Sequence, residues 1–300
     1  MTTVAARSDA AQRGGVLFGL LAFTLWGIFP VYFKWIESVA PLEVLGHRVL
    51  WAVPFGALIL TLRGQWREVR GALVDRRMLA WLALAALCIS LNWLVYIWAV
   101  QNERILETSL GYYINPLMFV AIGTLVFGER LGRFRAIAVA LAAAGVLFLT
   151  ISGGVFPWVA LSLAALFAAY GIIRRQIAIG AMPGLFIETS LLLPIAAAWI
   201  AWLISQGEAS ITSGDVGLAG LLMAAGPVTV LPLLFFAIAA KRLSLTVIGF
   251  MQFLAPSMQF AIGLYYGEPL TFAHKICFAC IWVAAAFFIY DAVTRKKEAK

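Results

Sequence analysis

Glu43, His47 and Arg48 stand together in an otherwise apolar run covering residues 41–61. A carboxylate, an imidazole and a guanidinium can bind an ion, hold an ion pair or pass a proton. Glu43 and His47 are four residues apart and would share one face of a helix. Arg48 follows Pro41 by seven residues, a depth of roughly 10 Å along a helix. A charge at that depth in an apolar medium is costly, so Arg48 is expected to face inward, toward a partner or an anionic group. Glu188 lies five residues in from Pro183, in a second apolar run, 183–204. Glu188 and His47 are the groups expected to carry a proton. Plainer readings stand beside these. Glu43 could be an interfacial residue at a helix end and His47 a packed core residue. Arg48 could snorkel to the surface, and Glu188 could make one structural hydrogen bond.

Uncharged polar and aromatic residues gather in other apolar runs. Asn92 and Tyr96 share a helix face, with Trp93 and Trp98 near them. Ser109, Tyr112, Tyr113 and Asn115 crowd ahead of Pro116, and Gln252 and Gln259 flank Pro256. Arg48, Glu43, His47, Asn92, Tyr96, Trp98, Ser109, Tyr112, Asn115 and Gln252 are therefore read as the lining of one binding site. The alternative for each uncharged member is polar glue between helices. No chemistry of bond-making is indicated. The chain has no G-x-x-x-x-G-K-[ST], H-E-x-x-H or G-x-S-x-G, and no paired aspartates inside an apolar run. Cys277 and Cys280 form a C-x-x-C, but inside an apolar run and without a histidine at metal spacing. They read as small buried hydrophobes, as does Cys88. Neither a catalytic site, nor a metal, nor a cofactor is expected.

The elements that position these residues follow from composition. The chain is 63% hydrophobic and 12% charged, with a mean hydropathy of +0.96. A soluble domain carries about a quarter charged residues. Such a chain belongs in a bilayer. Ten apolar runs are expected at 15–33, 41–61, 78–100, 105–127, 132–151, 156–173, 183–204, 215–239, 244–265 and 271–292. Of the 22 basic residues, all but Lys34, Arg48, Arg104 and Lys275 fall on one side if both termini lie in the cytoplasm. That bias fixes the orientation. It also explains the net charge of +8 as a topology signal, with no nucleic acid implied. The polar tail 1–14 is followed by a run without a cleavage site, read as a retained first helix. Residues 293–300 form a basic cytoplasmic tail.

The chain repeats itself. Pro116 and Pro256 are each followed by Ala-Ile-Gly, at 121–123 and 261–263, and by Gly128-Glu129 and Gly267-Glu268. Upstream, Ala99, Arg104, Thr108 and Gly111 match Ala237, Arg242, Thr246 and Gly249. Two repeats of five helices, 15–151 and 156–292, are expected. An odd number of helices turns the second repeat upside down relative to the first. Inverted repeats place a substrate site near the midplane, where the halves meet. Aligning Pro54 with Pro194 sets Arg48 against Glu188, in opposite halves of the bilayer and about 12 Å apart in depth. They are expected to mark two levels of one cavity, not an ion pair. Pro116 and Pro256 are expected to act as hinges.

Several stretches resemble the RarD-type permeases, in the EamA branch of the drug/metabolite transporter superfamily. They include Trp26-Gly27-Ile28-Phe29-Pro30, His47-Arg48-Val49, Asn92-Trp93-Leu94, Ile97-Trp98-Ala99-Val100 and the Ser109–Leu117 segment. Ile187-Glu188-Thr189, Leu192-Leu193-Pro194 and Gly249-Phe250-Met251-Gln252 extend it over nearly the whole chain. The resemblance departs at Ala255, where a glycine is more usual. It implies an all-α polytopic fold of ten helices in two EamA repeats, a bacterial inner-membrane location, and export or exchange of small molecules. The expected function is a secondary transporter moving a small metabolite or drug-like molecule by alternating access, with a coupling proton. The alternative is a lipid or amphiphile flippase, or an accessory membrane protein, on the same fold. Partners are the small-molecule substrate and membrane lipids. With both halves in one chain, a monomer or weak homodimer is expected.

Overall fold

The structure is a computed structural model and describes residues 2–128, 132–154, 156–243 and 245–298. Glu129, of the first Gly-Glu pair, and the last two residues of the basic tail lie outside them. The described residues form helices α1 (Thr2–Gly27), α2 (Phe29–Trp35), α3 (Pro41–Arg63), α4 (Trp66–Val74), α5 (Arg76–Gln101), α6 (Ile105–Phe127) and α7 (Arg133–Gly153). The second half supplies α8 (Trp158–Arg175), α9 (Ala181–Gln206), α10 (Val216–Ala240), α11 (Leu245–Met251), α12 (Leu254–Tyr265) and α13 (Phe272–Glu298). Ten segments are long and apolar enough to cross a bilayer. The first, Gly14–Trp35, joins α1 to α2, and the ninth, Val247–Tyr265, joins α11 to α12.

Both broken spans have a proline as the cause. Pro30 has no N–H to give the Trp26 carbonyl, and the helix stops at Gly27 and resumes at Phe29. Pro256 cannot serve the Gln252 carbonyl, and Gln252 and Phe253 separate α11 from α12. In hydrocarbon a freed carbonyl must find another donor. Gln259 Nε2 reaches across to the Trp26 carbonyl at 3.0 Å. Beside the second break, Ser109 Oγ donates to the Pro256 carbonyl at 2.8 Å and Tyr113 Oη meets Ser257 Oγ at 2.6 Å, which tie α6 to the start of α12. The two expected hinges differ. Helix α6 runs through Pro116 unbroken, whereas Pro256 sits at the start of a new helix.

Helix ends are marked by local chemistry. Asp75 accepts from the Arg77 and Met78 amides to cap α5, and Asp215 accepts from the Leu218 amide to cap α10. Helix α3 begins on Pro41 and is closed after Arg63 by Gly64, whose φ of 62° favours a glycine. Helix α4 was not expected. It is a short amphipathic helix burying Val69 and Ala72, too short to register as an apolar run. Its Glu68 accepts from the Gly180 amide at 3.1 Å, which ties it to the start of α9.

Helix α3 packs on α9 and α10, α5 on α8, α1 on α10 and α12, α6 on α8 and α12, and α7 on α13. These contacts run between the halves more than within them. The three cysteines are free, and Cys277 and Cys280 serve the α7–α13 contact. A Cβ on Gly145 would lie 2.8 Å from Cys280 Cβ, so the small residues let the two helices close.

Candidate functional site

The site is built where α3 crosses α10. A Cβ on Gly226 of α10 would collide with the Trp51 carbonyl of α3, so only glycine allows that approach. One turn along each helix, the same crossing brings Thr229 to Arg48. Arg48 Nε donates to Thr229 Oγ1 at 2.9 Å, and Thr229 donates to the Ala225 carbonyl at 2.7 Å. Arg48 is only 3% exposed. Its guanidinium lies over Trp93, 4.3 Å from the ring centre, with Phe33 at 5.5 Å and Phe29 at 5.8 Å. Ring faces stabilise such a cation, most strongly where water is excluded. Among the described residues no carboxylate pairs with Arg48. The groups in electrostatic range are the hydroxyls of Tyr112, Tyr32 and Tyr96.

Around this cation the sequence-expected residues divide. Tyr96 and Tyr112 join the cluster, their rings 5.7 Å apart, and Phe33 packs edge-on to Tyr96 at 5.8 Å. The Tyr96 hydroxyl is buried beside Thr108, and Asn115 Oδ1, one turn beyond Tyr112 on α6, finds no hydrogen-bond partner. Asn92 donates from Nδ2 to the Leu163 carbonyl at 3.0 Å, joining α5 to α8. Ser109 is taken up by the break at Pro256, and Gln252 sits half-buried in that break. Trp98 packs against the same apolar core but meets a different cation. It packs on Trp158 at 5.1 Å, and the Arg104 guanidinium lies near both rings.

Glu43 is also drawn away. Its carboxylate accepts from the Ser210 amide at 2.7 Å and the Ser210 hydroxyl at 2.9 Å, pinning the 3₁₀ turn Ser210–Thr212. Glu43 is thus committed to the loop before α10. His47 Nε2 lies 3.8 Å from Glu43 Oε1, beyond hydrogen-bonding reach. The imidazole is fully buried, and neither ring nitrogen has a partner.

Glu188 and Arg48 do not meet, as the depth argument expected. Glu188 is fully buried against Arg174 Nη1 at 3.5 Å, and the Tyr170 hydroxyl donates to its Oε2 at 3.3 Å. Arg174 folds back over Gly184, whose missing side chain makes the space, and donates to the Gly180 carbonyl at 3.3 Å. Sequence reasoning counted Arg174 among the surface charges. It also passed over Thr229, a lone hydroxyl in an apolar run, and gave Glu268 no role. Glu268 accepts from the Ile105 and Leu106 amides at 2.5 and 2.7 Å, capping α6 from the end of the ninth span. Burial pushes its carboxyl above the usual range, against the pull of those two N–H groups. The signal for it was the repeated Gly-Glu. Among the described residues no group of three or more His, Cys, Asp or Glu side chains is placed to hold a metal.

Known proteins share this sequence and fold. The model of the EamA-like transporter family matches residues 13–151. The "Protein RarD" of Salmonella typhi is 43% identical over 97% of this chain and all of its own length. An "Uncharacterized transporter" of Vibrio cholerae is 42% identical over 94% of this chain and 93% of its own. A solved structure titled "Crystal structure of protein" superposes with a TM-score of 0.60 at 18% identity, over 92% of this chain and 97% of that one. That likeness bears on the fold alone. Ten apolar spans, the family match and full-length relatives at this identity lead to one assignment: the chain belongs to the EamA-like transporters as a RarD-type permease, a multi-pass transporter of the inner membrane.

Proposed function

We propose that the chain is a secondary transporter that exports or exchanges a small metabolite or drug-like molecule, with Arg48 binding its anionic group. One observation carries this reading: a buried guanidinium with no carboxylate partner among the described residues. An uncompensated buried charge costs several kcal/mol. A permanent side-chain partner would relieve that cost, and so would a transported anion. Trp93, Phe29 and Phe33 supply apolar walls, and Tyr96, packed on Phe33, supplies a hydroxyl beside them.

Alternating access between two inverted halves goes with this reading. Number the spans one to ten. The third packs on the sixth and the eighth on the first; the fourth packs on the sixth and the ninth on the first. The second packs on the seventh, the fourth on the ninth and the fifth on the tenth. A two-fold axis in the membrane plane would generate this exchange of partners. Both termini then lie in the cytoplasm, and one chain supplies both halves. The coupling proton is carried by Glu188, held against Arg174, or by His47. The work of the site is binding and release, with no bond made or broken.

The test is thermal stability of the purified full chain with small anions, neutral metabolites and lipids, for wild type and Arg48→Ala. A ligand that binds only the folded state raises its stability. Stabilisation by a small anion, lost in Arg48→Ala, is the expected result. Stabilisation by lipids alone would turn the reading toward a flippase. A response unchanged in Arg48→Ala would make Arg48 structural.

A further inference from the structure

The acidic side chains around the Arg48 cluster are all engaged elsewhere. Four carboxylates are buried among the described residues: Glu43, Glu188, Glu268 and Asp291. Glu43 holds Ser210, Glu188 pairs with Arg174, Glu268 caps α6, and Asp291 pairs with Arg135 at 2.7 Å. Glu107, half-buried, pairs with Arg104 at 3.2 Å. The site thus offers one positive group and no negative one. What surrounds the guanidinium is aromatic: Trp93, Phe29, Phe33, Tyr32, Tyr96 and Tyr112.

Resting on the reading of Arg48 as the substrate's anion site, we infer that the substrate is an apolar monoanion, of the aryl or alkyl carboxylate class, with no positive charge beside its anionic group. An α-amino acid fails this requirement. Its ammonium would stand within about 6 Å of the guanidinium, in a medium where like charges at that distance repel strongly. A carboxylate that would offset the repulsion is missing from the cluster. Aromatic faces can receive an ammonium, but here Trp93, Phe33 and Phe29 already face the guanidinium. The carboxylate has its donors: the Arg48 Nη groups, which make no hydrogen bond among the described residues, and the Tyr96 hydroxyl, which lies beside Thr108. The apolar part packs against the rings.

Three probes isolate the charge. 3-Phenylpropionate is L-phenylalanine without its ammonium, and phenethylamine is L-phenylalanine without its carboxylate. Each is titrated against the thermal stability of the purified full chain at neutral pH, in wild type, Arg48→Ala and Arg48→Lys. The expected result is saturable stabilisation by 3-phenylpropionate at a concentration about a hundredfold below that needed for L-phenylalanine. Phenethylamine gives none. Arg48→Lys keeps the ranking, and Arg48→Ala removes the response. Phenylalanine acting within about threefold of 3-phenylpropionate, and losing its effect in Arg48→Ala, would overturn the monoanion class and leave the anion site standing. Phenethylamine acting best, or no probe acting through Arg48, would overturn both. If Arg48→Ala does not fold, the ranking in wild type and Arg48→Lys decides, because the probes share one phenylethyl skeleton and differ in their charged groups.

Discussion

At the scale of single residues, two inward-turned arginines, Arg48 buried and Arg174 half-buried, are treated in opposite ways. Arg174 has a carboxylate at 3.5 Å, while Arg48 has a hydroxyl and aromatic faces. The difference assigns them different work. Removing one partner of a buried pair leaves the other charge stranded, which costs about 3–5 kcal/mol. Arg174→Ala is therefore expected to lower the melting temperature sharply, and adding Glu188→Gln is expected to recover most of the loss. If Glu188 carries the coupling proton, Glu188→Gln alone abolishes pH-dependent uptake in proteoliposomes while the protein still folds. Unchanged pH dependence in that variant would leave the pair a purely structural one and shift the proton to His47. The buried imidazole has both ring nitrogens unpartnered for that task.

At the scale of helices, the site depends on how closely two backbones approach. Gly226 lets α10 touch the Trp51 carbonyl, and Thr229 and Arg48 sit one turn along from that point. A methyl group there pushes α10 off α3. Gly226→Ala is expected to cost about 1–3 kcal/mol by overpacking, and also to weaken any ligand response that runs through Arg48. Gly220 lies on the same helix with nothing within 4 Å of where a Cβ would be. Gly220→Ala is expected to be neutral or to stabilise by up to about 1 kcal/mol, since alanine suits a helix better than glycine. Melting curves of the two variants in detergent compare them directly. Equal effects would mean that the α3–α10 crossing does not set the site. The same scale explains the prolines. At the Pro30 break a side chain from another span serves the orphaned carbonyl, as Gln259 serves Trp26.

At the scale of the whole molecule, the contacts between spans join the two halves into one unit, so a shift of either half must exchange contacts across the site. The 3₁₀ turn at Ser210–Thr212, pinned by Glu43, belongs to one face of the membrane, and α4 to the other. With cytoplasmic termini, a cysteine placed at Ser213 is expected to react with a membrane-impermeant maleimide in intact cells. One placed at Arg70 on α4 is expected to react only after the membrane is opened. Both positions are exposed. The reverse pattern would invert the topology and the assignment of inner and outer ends.

The sequence by itself determined the number of spans and nearly all of their bounds. Transfer into a bilayer rewards each apolar run separately, so the signal is additive along the chain. It also made Arg48 and Glu188 conspicuous, because a charge in such a run demands an explanation wherever the helix lands. Partners were decided only by the tertiary structure. Thr229 for Arg48, Arg174 for Glu188, Ser210 for Glu43 and the α6 amides for Glu268 are 181, 14, 167 and about 162 residues away in the chain. Each pairing depends on the rotation and depth of two helices, which hydropathy does not encode. Arg174 shows the limit best. Counting charges assigns it to the membrane surface, but the gap left at Gly184 lets its side chain turn inward to a carboxylate.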